Sequence, residues 1–252
     1  MSLQRFDPTH TLVLTTSGDA TAEATVTAAA VEAVLDNADA VTLHLDPGAL
    51  TSDHPELAEQ LRAATEQVDD GVLRAPVDRV HDPLADLLDL TDAHRFVTLE
   101  RLDASRDGRQ LLHYVPDHTT FEADATAAEG VVDAVSRAVA DQPAGLLPTA
   151  VLADWDADGT RYELAPPSLC VDGGTCFGLG ALDRIAFDDG NHTIRLTWAT
   201  GDGLLATAGA LLGPNRPGRF KFDSPNRYAA VTDAFETVAD ALEVEVEKTE
   251  RR

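Results

Sequence analysis

The chain alternates between short apolar runs and longer stretches in which apolar positions return every three or four residues. The first pattern predicts strands and the second amphipathic helices. "TLVLTT" (11–16) predicts a strand, followed by a Gly18-Asp19 turn and an Ala-rich helix to about Leu35. "AVTLHL" (40–45) predicts a second strand. Over "SDHPELAEQLRAATEQV" (52–68), Ser52 or Asp53 can cap a helix, Pro55 suits its first turn, and Leu57, Leu61, Ala64 and Val68 share one face. A short helix is expected around "DPLADLLDL" (82–90). "HRFVTLERLDASRDGRQLLHYVP" (94–116) predicts two strands joined across Asp107-Gly108, a favoured tight-turn pair. A helix from about Ala125 to Val139 closes this half, with Val131, Val132, Val135 and Val139 inward.

"DQPAGLLP" (141–148) interrupts the periodicity with Pro and Gly and reads as a linker. Beyond it the chain is strand-rich. "VLADW" and "TRYEL" flank Asp158-Gly159, "LDRIAF" and "TIRLTW" flank residues 188–191, and "RFKF" (219–222) is a further strand. A last helix follows Asp223 or Ser224 as cap, with Pro225 in its first turn and Tyr228, Val231, Phe235, Val238 and Leu242 on its buried face. The expectation is a mixed α+β chain. An N-terminal α/β domain spans 1–142, and an antiparallel β-rich domain over 148–252 is closed by a C-terminal amphipathic helix. The second domain's layout resembles that of pleckstrin-homology-like domains.

Charge changes the picture more than size does. The 252 residues include 44 Asp plus Glu against 19 Lys plus Arg, a formal net charge of −25, and only two lysines, Lys221 and Lys248. The acids are spread among periodic apolar residues rather than blocked together, which argues against disorder. The pattern resembles soluble proteins of salt-in halophilic archaea, in which dense salt screens the self-repulsion of an Asp-rich, Lys-poor surface. No apolar run is long enough to span a membrane. The N-terminus "MSLQRFDPTH" lacks a secretory pattern, so a cytoplasmic location is expected.

An acidic background discounts acidic motifs. Asp154, Asp156, Asp158 and Gly159 spell D-x-D-x-D-G, the opening of a calcium loop. Position 12 of that loop would be Ala165 rather than a bidentate Glu, and the flanks alternate like strands. A hairpin turn is expected, with a weak cation site as the alternative. In "CVDGGTCFGLG" (170–180), Cys170 and Cys176 have neither zinc-site spacing nor a second pair, so two reduced thiols are expected. "TTSGDATAE" (15–23) sits where a phosphate loop would, but lacks a Walker Lys and carries Asp19. His113, Asp117 and His118 are possible metal ligands or bases without a third anchored partner. No cofactor is expected.

One segment opposes the global charge. "NRPGRFKFDSPNR" (215–227) holds Arg216, Arg219, Lys221 and Arg227, with Asp223 its only acid. It follows the Gly-rich, apolar "GDGLLATAGALLGPNRPG" (201–218), which contains Leu204, Leu205, Leu211 and Leu212. These eight residues form the expected binding surface, within 201–227, for a protein partner or a small anionic ligand. Nucleic acid is disfavoured by the surrounding negative field, and no membrane partner is expected. The sequence therefore predicts a non-catalytic regulatory or adaptor protein. The alternative is an enzyme acting on a small anionic metabolite between the two halves. In that case acid–base work falls to histidines such as His44, at the carboxyl end of a strand.

Overall fold

The structure, a computed structural model, describes residues 6–15, 20–90, 98–199 and 216–249. Leu204, Leu205, Leu211 and Leu212, and the Gly18-Asp19 turn, lie outside the described residues. Contacts divide the chain into two compact units, Met1–Leu12 with Asp19–Gln142, and Val13–Gly18 with Pro143–Arg252.

The first unit pairs its strands antiparallel in the order β3-β4-β2-β5-β6-β7-β1. These are β1 (His10–Leu14), β2 (Ala40–Leu45), β3 (Glu66–Asp69), β4 (Val72–Pro76), β5 (Leu99–Arg106), β6 (Arg109–Val115) and β7 (Thr120–Ala123). Helices α1 (Ala20–Leu35), α2 (Pro47–Asp53), α3 (Pro55–Ala64), α4 (Val77–Leu88) and α5 (Val131–Ala138) accompany them. Helix α1 packs on α4, α5 and β6, while α4 packs on β4. The alternation of β2 shows which face they cover. Val41, Leu43 and Leu45 are buried, whereas Thr42 and His44 are only partly so. One sheet face thus carries the apolar core and the other carries polar side chains. The α/β expectation is corrected here. β2 is antiparallel to both neighbours, so the rule that seats ligands at the carboxyl ends of parallel strands does not reach His44.

The 52–68 helix is also corrected. Asp46, not Ser52 or Asp53, caps the first turn, accepting from Gly48 and Ala49 N–H at 2.8 and 3.0 Å. The chain breaks at His54 and restarts at Pro55. "EQVD" then leaves the helix as the exposed strand β3, with Val68 62% exposed instead of buried. The 125–139 helix starts only at Val131, because Gly130 stands at φ 83° immediately before it.

In the second unit, β8 (Ala144–Pro148) occupies most of the stretch read as a linker. Two four-stranded sheets follow, β12-β11-β10-β9 and β15-β14-β13-β16. Their strands are β9 (Ala153–Ala157), β10 (Thr160–Ala165), β11 (Ser168–Val171), β12 (Thr175–Gly178), β13 (Leu182–Asp188), β14 (Thr193–Trp198), β15 (Arg219–Lys221) and β16 (Glu245–Thr249). Helix α6 (Pro225–Leu242) buries Tyr228, Val231, Phe235, Val238 and Leu242, as its spacing predicts. Trp155 anchors the core, with ring centroids 5.6 Å from Tyr162, 5.1 Å from Phe220 and 6.0 Å from Phe235. Strand β16 pairs parallel with β13 and exposes all five of its residues, so no hydrophobic alternation announced it.

Candidate functional site

D-x-D-x-D-G is a hairpin. Asp154 and Asp156 point outward from β9 while Trp155 and Ala157, which alternate with them, are buried. Asp158 and Gly159 take φ of 52° and 79°, the two left-handed residues of a two-residue hairpin loop. Asp154 pairs with Arg161 at 3.3 Å. Among the described residues, no three acid, histidine or cysteine side chains are grouped to hold a metal ion. The reduced-thiol expectation is overturned. Cys170 and Cys176 are direct partners across β11 and β12, with Cα atoms 4.0 Å apart, and form a disulfide. Cross-strand register supplied the proximity that their sequence spacing did not suggest.

The cationic segment separates into three roles. Arg216 donates to the Ala199 carbonyl at 2.8 Å and lies over the Trp198 ring, 5.8 Å from its centroid. The Trp198 indole N–H donates back to the Pro217 carbonyl at 2.6 Å. Arg216 and Trp198 therefore tie together the flanks of the 200–215 stretch. Arg219 and Lys221 are the exposed positions of β15, on either side of buried Phe220. Arg227 sits at the start of α6, where its backbone N–H donates to the Ser224 hydroxyl at 3.4 Å. Tyr228 fixes this helix start by donating to Asp189 at 2.7 Å. Burial, then that bond, holds its phenol well above the usual range.

Register adds two residues that sequence reading missed. Arg195 of β14 stands directly opposite Arg219, and both are exposed. Arg184 of β13 shares the outward side of this sheet and pairs with Glu245 at 2.9 Å. Among the described residues, Arg195, Arg219, Lys221 and Arg227 make no ion pair. Arg195 and Arg184 were legible only as the outward positions of an alternating strand. Nothing local said that Arg195 would stand opposite β15.

A second cluster lies on the polar sheet face of the first unit. Asp103 of β5 accepts from His113 Nδ1 of β6 at 2.9 Å and from Gln110 Nε2 at 2.9 Å, both on Oδ1. Its Oδ2 faces Arg101 Nε at 3.0 Å and His44 Nε2 of β2 at 3.8 Å. Arg101 Nη2 donates to the His44 ring. Burial first, and then the Arg101 charge, lowers the affinity of His44 for a proton below the ordinary imidazole value. The pair His118 and Asp117, by contrast, is exposed in the 3₁₀ turn Pro116–His118, with its atoms 3.9 Å apart. His44 and His113 thus meet around a carboxylate that the sequence did not single out. The hairpin turn at Asp107-Gly108 set the approximate pairing, but a bulge between Ala104 and Ser105 shifts it by one.

Compared with known protein families, curated proteins and solved structures, the chain matches none. No described helix is long and apolar enough to cross a membrane.

Proposed function

We propose that this chain is a non-catalytic regulatory or adaptor protein of a salt-rich cytoplasm. It binds an acidic partner surface through the outward face of β14 and β15. The observation that carries this reading is the set Arg195, Arg219 and Lys221. They are three exposed cations on two paired strands, without an ion pair among the described residues, in a chain of net charge −25. With acids more than twice as numerous as bases, surface cations have ample choice of partner. A face that gathers three of them outside any direct ion pair fits an anion brought by another molecule.

The reading also draws on the arrangement around the face. Antiparallel strands closed by a C-terminal helix resemble the pleckstrin-homology-like layout, though a layout says nothing about the ligand. Arg216 and Trp198 hold the chain at one end of the face, and the Tyr228–Asp189 bond holds the start of α6. A rigid frame lets long cationic side chains bind with less ordering cost.

The test is a triple charge reversal, Arg195→Glu, Arg219→Glu and Lys221→Glu, in the full chain. Tagged wild-type and variant proteins are recovered from their host at molar KCl, and both are titrated with an acidic peptide. The wild type should retain a stoichiometric partner and bind the peptide, and the variant should lose both. Equal retention and equal peptide affinity in the two proteins would overturn the assignment.

A further inference from the structure

The Asp103 cluster is built differently from an ordinary surface ion pair. Three adjacent strands contribute to it: His44 from β2, Arg101 and Asp103 from β5, and Gln110 and His113 from β6. Arg101 is the register partner of His44, and Asp103 that of His113, so the pairs lie side by side on the polar face. His44, Asp103 and His113 are 23%, 21% and 27% exposed at their side chains, and Arg101 is 40% exposed. The inner groups are therefore shielded, while the guanidinium remains reachable.

The hydrogen bonds determine what is left over. A carboxylate only accepts, so His113 must present its proton at Nδ1 toward Asp103 Oδ1. In the neutral ring, Nε2 is then the bare, accepting nitrogen. This is the same orienting role that a carboxylate plays behind a catalytic or metal-binding imidazole. Gln110 donates to the same oxygen and holds the carboxylate still. Arg101 Nη2 donates to His44, and Nε stands 3.0 Å from Asp103 Oδ2 as an ion pair but buried and without a hydrogen bond. Asp103 thus has both oxygens occupied and acts as an organiser. Among the described residues, two complementary groups remain unspent, an acceptor on His113 and a cationic donor on Arg101. Both lean on one carboxylate.

We propose that Arg101 and His113 form a binding site for a small oxyanion that carries a hydroxyl next to its charge. The guanidinium takes the anionic oxygens, and the hydroxyl donates to His113 Nε2. Inorganic phosphate, singly protonated phosphate monoesters and 2-hydroxycarboxylates share this chemistry. Asp103 is a positioning residue, since it sets the tautomer of one group and the direction of the other. An oxyanion without the hydroxyl satisfies Arg101 but leaves His113 without a donor. The site belongs to the first unit and does not depend on the cationic face of the second.

The experiment follows the histidine ring nitrogens of the full-length protein by NMR, at constant KCl, during titration with inorganic phosphate, glycolate and acetate. In the free protein His113 should carry its proton on Nδ1. Phosphate and glycolate should each move its Nε2 resonance saturably, with acetate binding more weakly. Arg101→Gln should weaken both active probes by about tenfold or more, the loss expected for one charge-assisted hydrogen bond. Asp103→Asn should shift the His113 proton toward Nε2. The proposal falls if neither probe moves the wild-type resonance, if free His113 carries its proton on Nε2, or if Arg101→Gln binds as tightly as wild type. The triple reversal in the second unit should leave these titrations unchanged.

Discussion

Arg195 and Arg219 are direct partners across β14 and β15, two exposed guanidinium side chains on the same face of the sheet. Like charges in this relation destabilise a strand pair, whereas opposite charges stabilise it by about 0.2–1 kcal/mol. Arg219→Glu should therefore raise stability by up to about 1 kcal/mol while it weakens binding of an acidic partner. Chemical denaturation at low and high KCl checks the first part, and the gain should shrink as salt screens the new pair. A loss of stability would show that an acid within the chain already neutralises Arg219.

Gly145 reports on packing within the second unit. A Cβ built there would overlap the Ala241 carbonyl of α6, a backbone atom that cannot turn aside. Gly145→Ala should cost about 1–3 kcal/mol, in the range of overpacked cores. Gly174→Ala is the control, since its Cβ would meet open space. If the two variants melt together, β8 and α6 do not approach as described.

Acid should weaken the first unit through His44. Burial, and Arg101 beside it, lower its proton affinity in the fold below the ordinary imidazole value, even though Asp103 and Glu100 pull the other way. The unfolded chain then takes up this proton more readily than the folded one. The contribution of neutral His44 is complete above about pH 6.5 and is lost as the pH falls below it. His10, lowered by burial, acts in the same direction. Denaturation midpoints between pH 7.5 and 5.5 should fall for the wild type and fall less steeply for His44→Gln. Parallel slopes would remove His44 as a cause.

Salt should stabilise the whole chain. At net charge −25 the folded state concentrates repulsion that the expanded chain relieves. Screening acts over about 10 Å at 0.1 M salt and about 3 Å at 1 M. Melting temperature should climb steeply with KCl through this range. A flat response would mean that surface repulsion is minor and would count against a salt-rich setting.

Features that depend on a few neighbouring residues were legible in the sequence. Asp107-Gly108 and Asp158-Gly159 made hairpin loops because both residues of such a loop need positive φ. The buried face of α6 was written in the spacing of Tyr228, Val231, Phe235, Val238 and Leu242. Alternation likewise sent Asp154 outward and Trp155 inward, which resolved the calcium-like motif as a turn. Local pattern could not decide "EQVD", whose residues are all exposed in β3 and carry no face signal, nor β16 for the same reason. It was equally silent on neighbours across strands. His44 reaches Arg101 over 57 positions, Asp103 meets His113 only after a bulge, and Cys170 faces Cys176 because β11 and β12 pair. Periodicity determines which side of an element a residue takes. Register, set by long-range pairing and shifted by single-residue bulges, decides which residues stand beside it. The cationic face and the Asp103 cluster both arise at that second level.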